Sequence, residues 1–201
     1  ASRIGTTVTV NNLFSRIPAR KNFLRSNQSE LSRVKSVVNH YVLAYPDVQF
    51  RLIIDEHITI ATSGLGDLRE VATSIFGTTL GNSFLNLHSS TQSDFSISGL
   101  ISPPAYHRSN RTNIIFFVNR RPIQAKNLMF AVNEAYKGFL PQGRYPIATI
   151  FLEVPPQDID INIHPTKSEV RFKKEELIFT LLRNHVRETL MGKAPASDFR
   201  F

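Results

Sequence analysis

The sequence predicts a mixed fold, α+β and α/β, divided between two units, and three observations predict it. Runs in which polar and apolar residues alternate with a period of two, such as residues 158–164, mark strands with one buried face. Runs with apolar residues three and four apart mark helices between those strands. A cluster of small residues, Thr62-Ser63-Gly64-Leu65-Gly66, separates the first unit from the second. At 201 residues the chain has length for one large domain or two small ones with a substantial core.

Taken in order, Val8 and Val10 alternate with Thr7 and Thr9, so residues 5–10 are expected as a strand leading into a loop over 11–18. A strand at the start of the chain needs neighbours, and the first unit is therefore expected to be the end of a larger domain. Asn27 followed by Glu30 has capping-box spacing, and Leu31, Val34, Val38, Tyr41, Val42 and Tyr45 continue as a helical stripe that Pro46 ends. Residues 48–54 and 57–61 are expected as a hairpin turning at Asp55-Glu56. The Gly64-Leu65-Gly66 that follows is no dinucleotide fingerprint, since it lacks the third glycine and the strand before it belongs to a hairpin.

In the second unit, Asp67 with Glu70 again suggests a capping box, followed by a stripe of Leu68, Val71, Ala72, Ile75 and Phe76 and a stop at Gly77. Residues 84–90 and 94–102 alternate as paired strands. Residues 114–118 are continuously apolar, which suits a strand covered on both faces, and Asn119-Arg120-Arg121-Pro122 suits a turn. Leu128, Val132, Ala135, Tyr136 and Phe139 then make a helix and residues 147–154 a returning strand, a β-α-β crossover. In residues 158–172, Ile159, Ile161 and Ile163 point inward. Pro165 interrupts the strand because it has no N–H to give, so Thr166 and Lys167 fall on a loop before Val170 and Phe172 resume the alternation. Leu177, Ile178, Leu181, Leu182, Val186 and Leu190 form a last amphipathic helix, and residues 191–201 are expected as the start of a linker or tail.

Composition narrows the function. Hydrophobic residues at 41% and charged residues at 20% fit a folded domain, not a disordered one. A net charge of +8 favours a polyanionic partner, nucleic acid above all. The absence of cysteine excludes disulfides, thiolate catalysis and cysteine zinc sites. No run approaches the roughly 18 apolar residues of a membrane span, so a soluble, intracellular protein with no membrane partner is expected. The six histidines have no ligand-like spacing, so no metal site is expected, and the nucleophile elbow, the Walker phosphate loop and the zincin motif are all missing.

Two long motifs add what composition cannot. Asp158-Ile159-Asp160-Ile161-Asn162-Ile163-His164-Pro165-Thr166-Lys167-Ser168-Glu169-Val170-Arg171-Phe172 resembles a stretch of the MutL family of DNA mismatch-repair proteins. So does Gly5-Thr6-Thr7-Val8-Thr9-Val10, continued by Leu13-Phe14, Pro18-Ala19-Arg20 and Phe23-Leu24, and so does Val118-Asn119-Arg120-Arg121-Pro122. The resemblance covers about residues 3–190. It implies that residues 1–66 are the C-terminal remnant of a GHKL-type ATP-binding sandwich, the superfamily of gyrase, Hsp90 and histidine kinases, and that 67–190 form a ribosomal protein S5 domain 2-like transducer and DNA-binding domain. In that fold the crossover is of the rare left-handed kind.

By the same resemblance, Gly5 and Thr6 border the adenine pocket, and Lys167 reaches the γ-phosphate as a catalytic and nucleotide-binding residue. Lys126 stands where the family has a DNA-binding arginine; the charge is kept and the bidentate fork is lost. Arg108, Arg111, Arg120 and Arg121, with Arg144, Lys137 and the tyrosines Tyr106, Tyr136 and Tyr145 nearby in sequence, are the further candidates for sequence-independent DNA contact. The intact protein is expected to use ATP and Mg2+, with neither held by this chain alone. It is expected to work with a MutS-type mismatch-recognition protein, to pair with itself or a paralogue, and to reside in the cytoplasm or nucleoid of a bacterium or the nucleus of a eukaryote. A type II topoisomerase-like transducer, or a stand-alone S5-like nucleic-acid-binding module, is the alternative. The former typically carries Gln-Thr-Lys where this chain has Pro165-Thr166-Lys167.

Overall fold

The computed structural model describes residues 5–88, 95–160 and 170–192. The chain falls into two compact units, 1–38 and 39–201. In the first, residues 5–10 run as exposed chain outside any strand, with Val8 at 81% and Val10 at 72% exposure, where alternation predicted a strand. Alternation supplies the propensity, but a strand forms only against a neighbour that takes its N–H and C=O groups, and none is present among the described residues. Helix α1 (Pro18–Asn22) follows, with proline at its first position, where the missing N–H costs nothing.

Helix α2 (Asn27–Ala44) is capped one residue earlier than its sequence suggests. Ser26 Oγ accepts the Ser29 N–H at 3.4 Å, and the Glu30 carboxylate reaches back to the Arg25 N–H at 3.0 Å. Only its last turn, Val42, Leu43 and Ala44, is buried; Val34 and Tyr41 of the predicted stripe are half exposed. Strands β1 (Arg51–Ile54) and β2 (His57–Ala61) form the expected antiparallel hairpin. Asp55 and Glu56 both take positive φ, 48° and 65°, as a two-residue primed turn demands.

The small residues at 62–66 serve a close approach of two segments. Buried Thr62 accepts the Phe50 N–H on Oγ1 at 2.9 Å and donates from the same oxygen to the Val48 carbonyl at 3.3 Å. A Cβ at Gly64 would lie 2.7 Å from the Gln49 nitrogen. Helix α3 (Leu68–Phe76) starts at Asp67, whose side chain accepts the Arg69 N–H at 2.8 Å. Glu70 does not complete a capping box; its carboxylate takes the Ser63 N–H and hydroxyl instead. Gly77, at φ 91°, ends α3 and opens a second short helix, α4 (Thr78–Ser83), too brief for periodicity to announce.

The core is a five-stranded sheet in the order β3 (Leu85–Leu87), β4 (Ser96–Ile101), β9 (Ala148–Glu153), β6 (Ile114–Val118), β7 (Arg121–Ile123). β6 and β9 are parallel and the other neighbours antiparallel. Pro122 sits on edge strand β7, where a missing donor is tolerated. Strands β5 (His107–Arg108) and β8 (Tyr145–Pro146) make a separate short ribbon that the sequence pattern did not show. Helix α5 (Lys126–Ala135) makes the crossover between β6 and β9.

Alternation along the strands sends Ile97, Ile101, Phe116, Val118, Ile150 and Leu152 to one face, where α5 and the last helix, α6 (Glu175–Leu190), cover them. Leu100 and Ile147 join Ala72, Leu80 and Phe84 of the α3–α4 region in a second cluster. β6 is thus buried on both faces, as its unbroken apolar run predicts, and Phe117 stacks on Phe151 of β9 at 4.9 Å. α5 and α6 lie parallel: Asn127 bonds Glu175 at their starts, Phe130 stacks on Phe179 at 6.0 Å, and Arg187 donates to the Ala135 and Lys137 carbonyls at the far end.

After β9 a 3-10 turn (Pro156–Asp158) leads to β10 (Ile159–Asp160), which pairs antiparallel with β11 (Arg171–Phe172). Ile159 lies opposite Phe172, and both pack on the main core, so the inward reading of Ile159 holds. Ile161, Ile163 and the stretch from His164 to Lys167 fall outside the described residues.

Candidate nucleic-acid and nucleotide sites

The sequence nominates five cations for DNA, and the structure separates them. Arg108 lies on β5 opposite Tyr145 of β8, and its guanidinium bonds the His107 carbonyl at 3.2 Å. Arg111 lies over the Tyr145 ring at 4.8 Å, with a 3.4 Å bond to its hydroxyl. Such stacking leaves the outer guanidinium edge available while fixing its plane. These two arginines stand just before β6. Arg120 and Arg121 stand just after it, and a rise of about 3.3 Å per residue puts the ends of that strand about 13 Å apart.

Asn119 and Arg120 take φ of 48° and 64° at the two-residue turn between β6 and β7. Asn119 holds that turn rigidly. Its side chain donates to the Val154 carbonyl and accepts the Val154 N–H, both at 3.0 Å, mimicking one further rung of sheet beyond β9. Arg120 is exposed but engaged: it pairs with Asp47 at 3.5 Å and lies 6.0 Å from the Tyr45 ring centre. Arg121 and Lys126 are exposed, Lys126 at the first position of α5. Of the nearby tyrosines only Tyr145 joins a cation; Tyr136 is 2% exposed, its hydroxyl 2.5 Å from the Ser102 carbonyl. Lys137 pairs with Glu134 at 3.9 Å. The sequence marks Asn119 as a turn residue but not its clamp on Val154, and it gives no signal for Asp47.

For the nucleotide, Gly5 and Thr6 lie on exposed chain and Lys167 is outside the described residues. What is described is the base of the Lys167 segment. The β10–β11 ladder closes it, reinforced by the Lys173 N–H on the Asp158 carbonyl at 2.9 Å, and buried Phe172 anchors it to the core. Among the described residues no group of three His, Cys, Asp or Glu could hold a metal ion, and no helix is long and apolar enough to cross a membrane.

With this geometry in hand, the comparisons are specific. The structure superposes on the N-terminal domain of a DNA repair protein with a TM-score of 0.71 at 21% identity, covering 90% of this chain and 59% of that one. On the ADP complex of the Aquifex aeolicus MutL ATPase domain the TM-score is 0.56 at 22% identity, over 86% and 55% of the two chains. The chain therefore shares its fold with these two DNA-repair domains over most of its length. The family model described as DNA mismatch repair protein, C-terminal domain, matches residues 72–191. The MutL protein of Clostridium botulinum (strain Loch Maree / Type A3) is 37% identical over 198 residues, which is 98% of this chain and 30% of that protein. The chain belongs to the MutL family of DNA mismatch-repair proteins. It spans about a third of the length of the curated relatives it matches.

Proposed function

We propose that this chain couples ATP binding and hydrolysis to DNA binding and partner recruitment in mismatch repair. Residues 1–66 would be the end of the ATP-binding domain, 67–190 the transducer, and 191–201 the start of a linker. Lys167 supplies the cation for the γ-phosphate and Thr6 a hydroxyl beside the adenine pocket. ATP with Mg2+ supplies the transferable phosphoryl group in the intact protein. DNA is bound without sequence preference by Arg108, Arg111, Arg121 and Lys126, and partners are a MutS-type protein and a second copy or paralogue.

One observation carries the nucleotide reading: the Lys167 segment springs from a ladder whose inward residues, Ile159 and Phe172, are set in the core beside α6. The two strands that bracket that segment thus belong to the transducer core. A cation that meets ATP and not ADP biases domain orientation, which is the differential affinity a switch requires. It also offsets charge on the transferring group, and losing one such contact costs about 10² to 10³ in rate. In the full-length protein Lys167→Ala is expected to fold normally, bind ADP almost unchanged and lose most ATP turnover. Wild-type turnover in that variant would show Lys167 to be an ordinary solvated cation.

A further inference from the structure

We infer that Arg120 is not a DNA contact but a coupling residue that latches the β6–β7 turn to the loop after α2. This inference rests on the proposed ATP–DNA coupling and assigns the residue through which it passes. Arg120 meets two groups of that loop at once, the Asp47 carboxylate at 3.5 Å and the face of Tyr45. An ion pair between half-exposed partners contributes little alone, but a guanidinium shared between a carboxylate and a ring is fixed in position as well as charge.

Both sides of the latch are themselves braced. On one side, the Tyr45–Asp47 loop is stitched to the stretch before α3: Gly66 N–H donates to the Pro46 carbonyl and Thr62 N–H to the Phe50 carbonyl, each at 3.0 Å, beside the two bonds of Thr62 Oγ1. On the other, Asn119 clamps the turn to Val154, the point at which β9 leaves the sheet toward β10. Arg120 thus closes a short path from the end of α2 to the strand exit that leads to the Lys167 segment. A shift of the loop is carried to that exit through one side chain and one amide. The Asp47 carboxylate competes with a phosphate for that guanidinium.

The test exploits opposite signs. A phosphate contact at Arg120 predicts that its loss weakens DNA binding and lowers the salt slope by about one, while removing the Asp47 carboxylate strengthens binding or leaves it alone. A latch predicts that the two losses act alike. Arg120→Asn is the suitable variant, because Asn tolerates the left-handed backbone at φ 64°. In the full-length protein, Arg120→Asn and Asp47→Ala are each expected to cut DNA stimulation of ATP turnover about fivefold, the double variant no further, and Arg120→Asp with Asp47→Arg to restore it. Double-stranded DNA affinity by anisotropy is expected to stay within about twofold in all of them. Additive losses, failure of the charge swap, or DNA affinity lost in Arg120→Asn but not in Asp47→Ala would overturn the latch. Absence of DNA stimulation in the wild type would overturn the coupling reading itself, and the anisotropy arm would still decide whether Arg120 touches DNA.

Discussion

Tyr136→Phe isolates the polar knot that joins helix α5 to the sheet. The Tyr136 hydroxyl donates to the Ser102 carbonyl at 2.5 Å, and the two residues are 2% and 0% exposed. Ser102 Oγ in turn donates to the Tyr106 carbonyl at 2.7 Å and accepts the Ile147 N–H at 3.1 Å, so the knot fixes the end of β4, the approach to β9 and the root of the β5 ribbon. Phenylalanine keeps the ring and its packing and removes only the donor, leaving a buried carbonyl without that partner. Such a loss costs about 2 kcal/mol, and for a chain of this size it lowers Tm by about 4–8 °C. Thermal unfolding by circular dichroism reads it, with urea unfolding to check that the m-value is unchanged. A Tm within about 1 °C of wild type would refute the reasoning, because it would mean that the carbonyl finds water or that the bond is net neutral.

Four further outcomes are expected. Gly99→Ala should unfold the sheet at β4–β9, since Gly99 sits at φ 143° and a Cβ there would lie 2.0 Å from the Thr149 carbonyl oxygen; soluble expression with a native circular dichroism spectrum would contradict this. Lys126→Glu should weaken binding to every DNA sequence by a similar factor and flatten the salt dependence, measured by fluorescence anisotropy across several duplexes. Burial lowers the His185 pKa, against the opposing influences of the His88 backbone and Glu188, and its Nε2 has no hydrogen-bond partner among the described residues. The fold therefore prefers the neutral ring: its contribution is complete above the usual histidine value of about 6.5 and is lost as pH falls below it, and His185→Gln should flatten the fall in urea midpoint between about pH 7 and 5. Asp67→Ala should cost about 1 kcal/mol by removing the α3 cap, read as a lower urea midpoint at constant m.

Much of the fold was legible because its elements report their own environment. β6 reads as a both-faces strand, and it is one; Asp55-Glu56 reads as a hairpin turn, and both residues take the φ that such a turn requires. The readings that failed are those in which a partner decides. Residues 5–10 have a strand's alternation and no neighbour to pair with among the described residues, and the α2 stripe is buried only where something covers it. Capping boxes misled for a related reason: Glu30 and Glu70 were correctly seen as acceptors, but which N–H each takes depends on the chain's path before the helix. The candidate site was legible as a list of cations and illegible as an arrangement. Nothing local distinguishes Arg120, which is engaged by Asp47, from its neighbour Arg121, although both are exposed.

The parallel packing of α5 and α6 gives the helical layer a polarity. In an antiparallel pair the peptide dipoles of the two rods oppose and largely cancel at a distance; here they add, so that about half a positive charge from each collects at the Lys126 and Glu175 end and the matching negative ends meet near Ala135 and Leu190. Arg187 answers the negative end directly by donating to the Ala135 carbonyl that ends α5 and to the Lys137 carbonyl just beyond it, and Glu175 and Glu176 partly offset the positive one. The layer behaves as a small bar magnet laid along the sheet, and reversing the charge at either end opposes both helices at once.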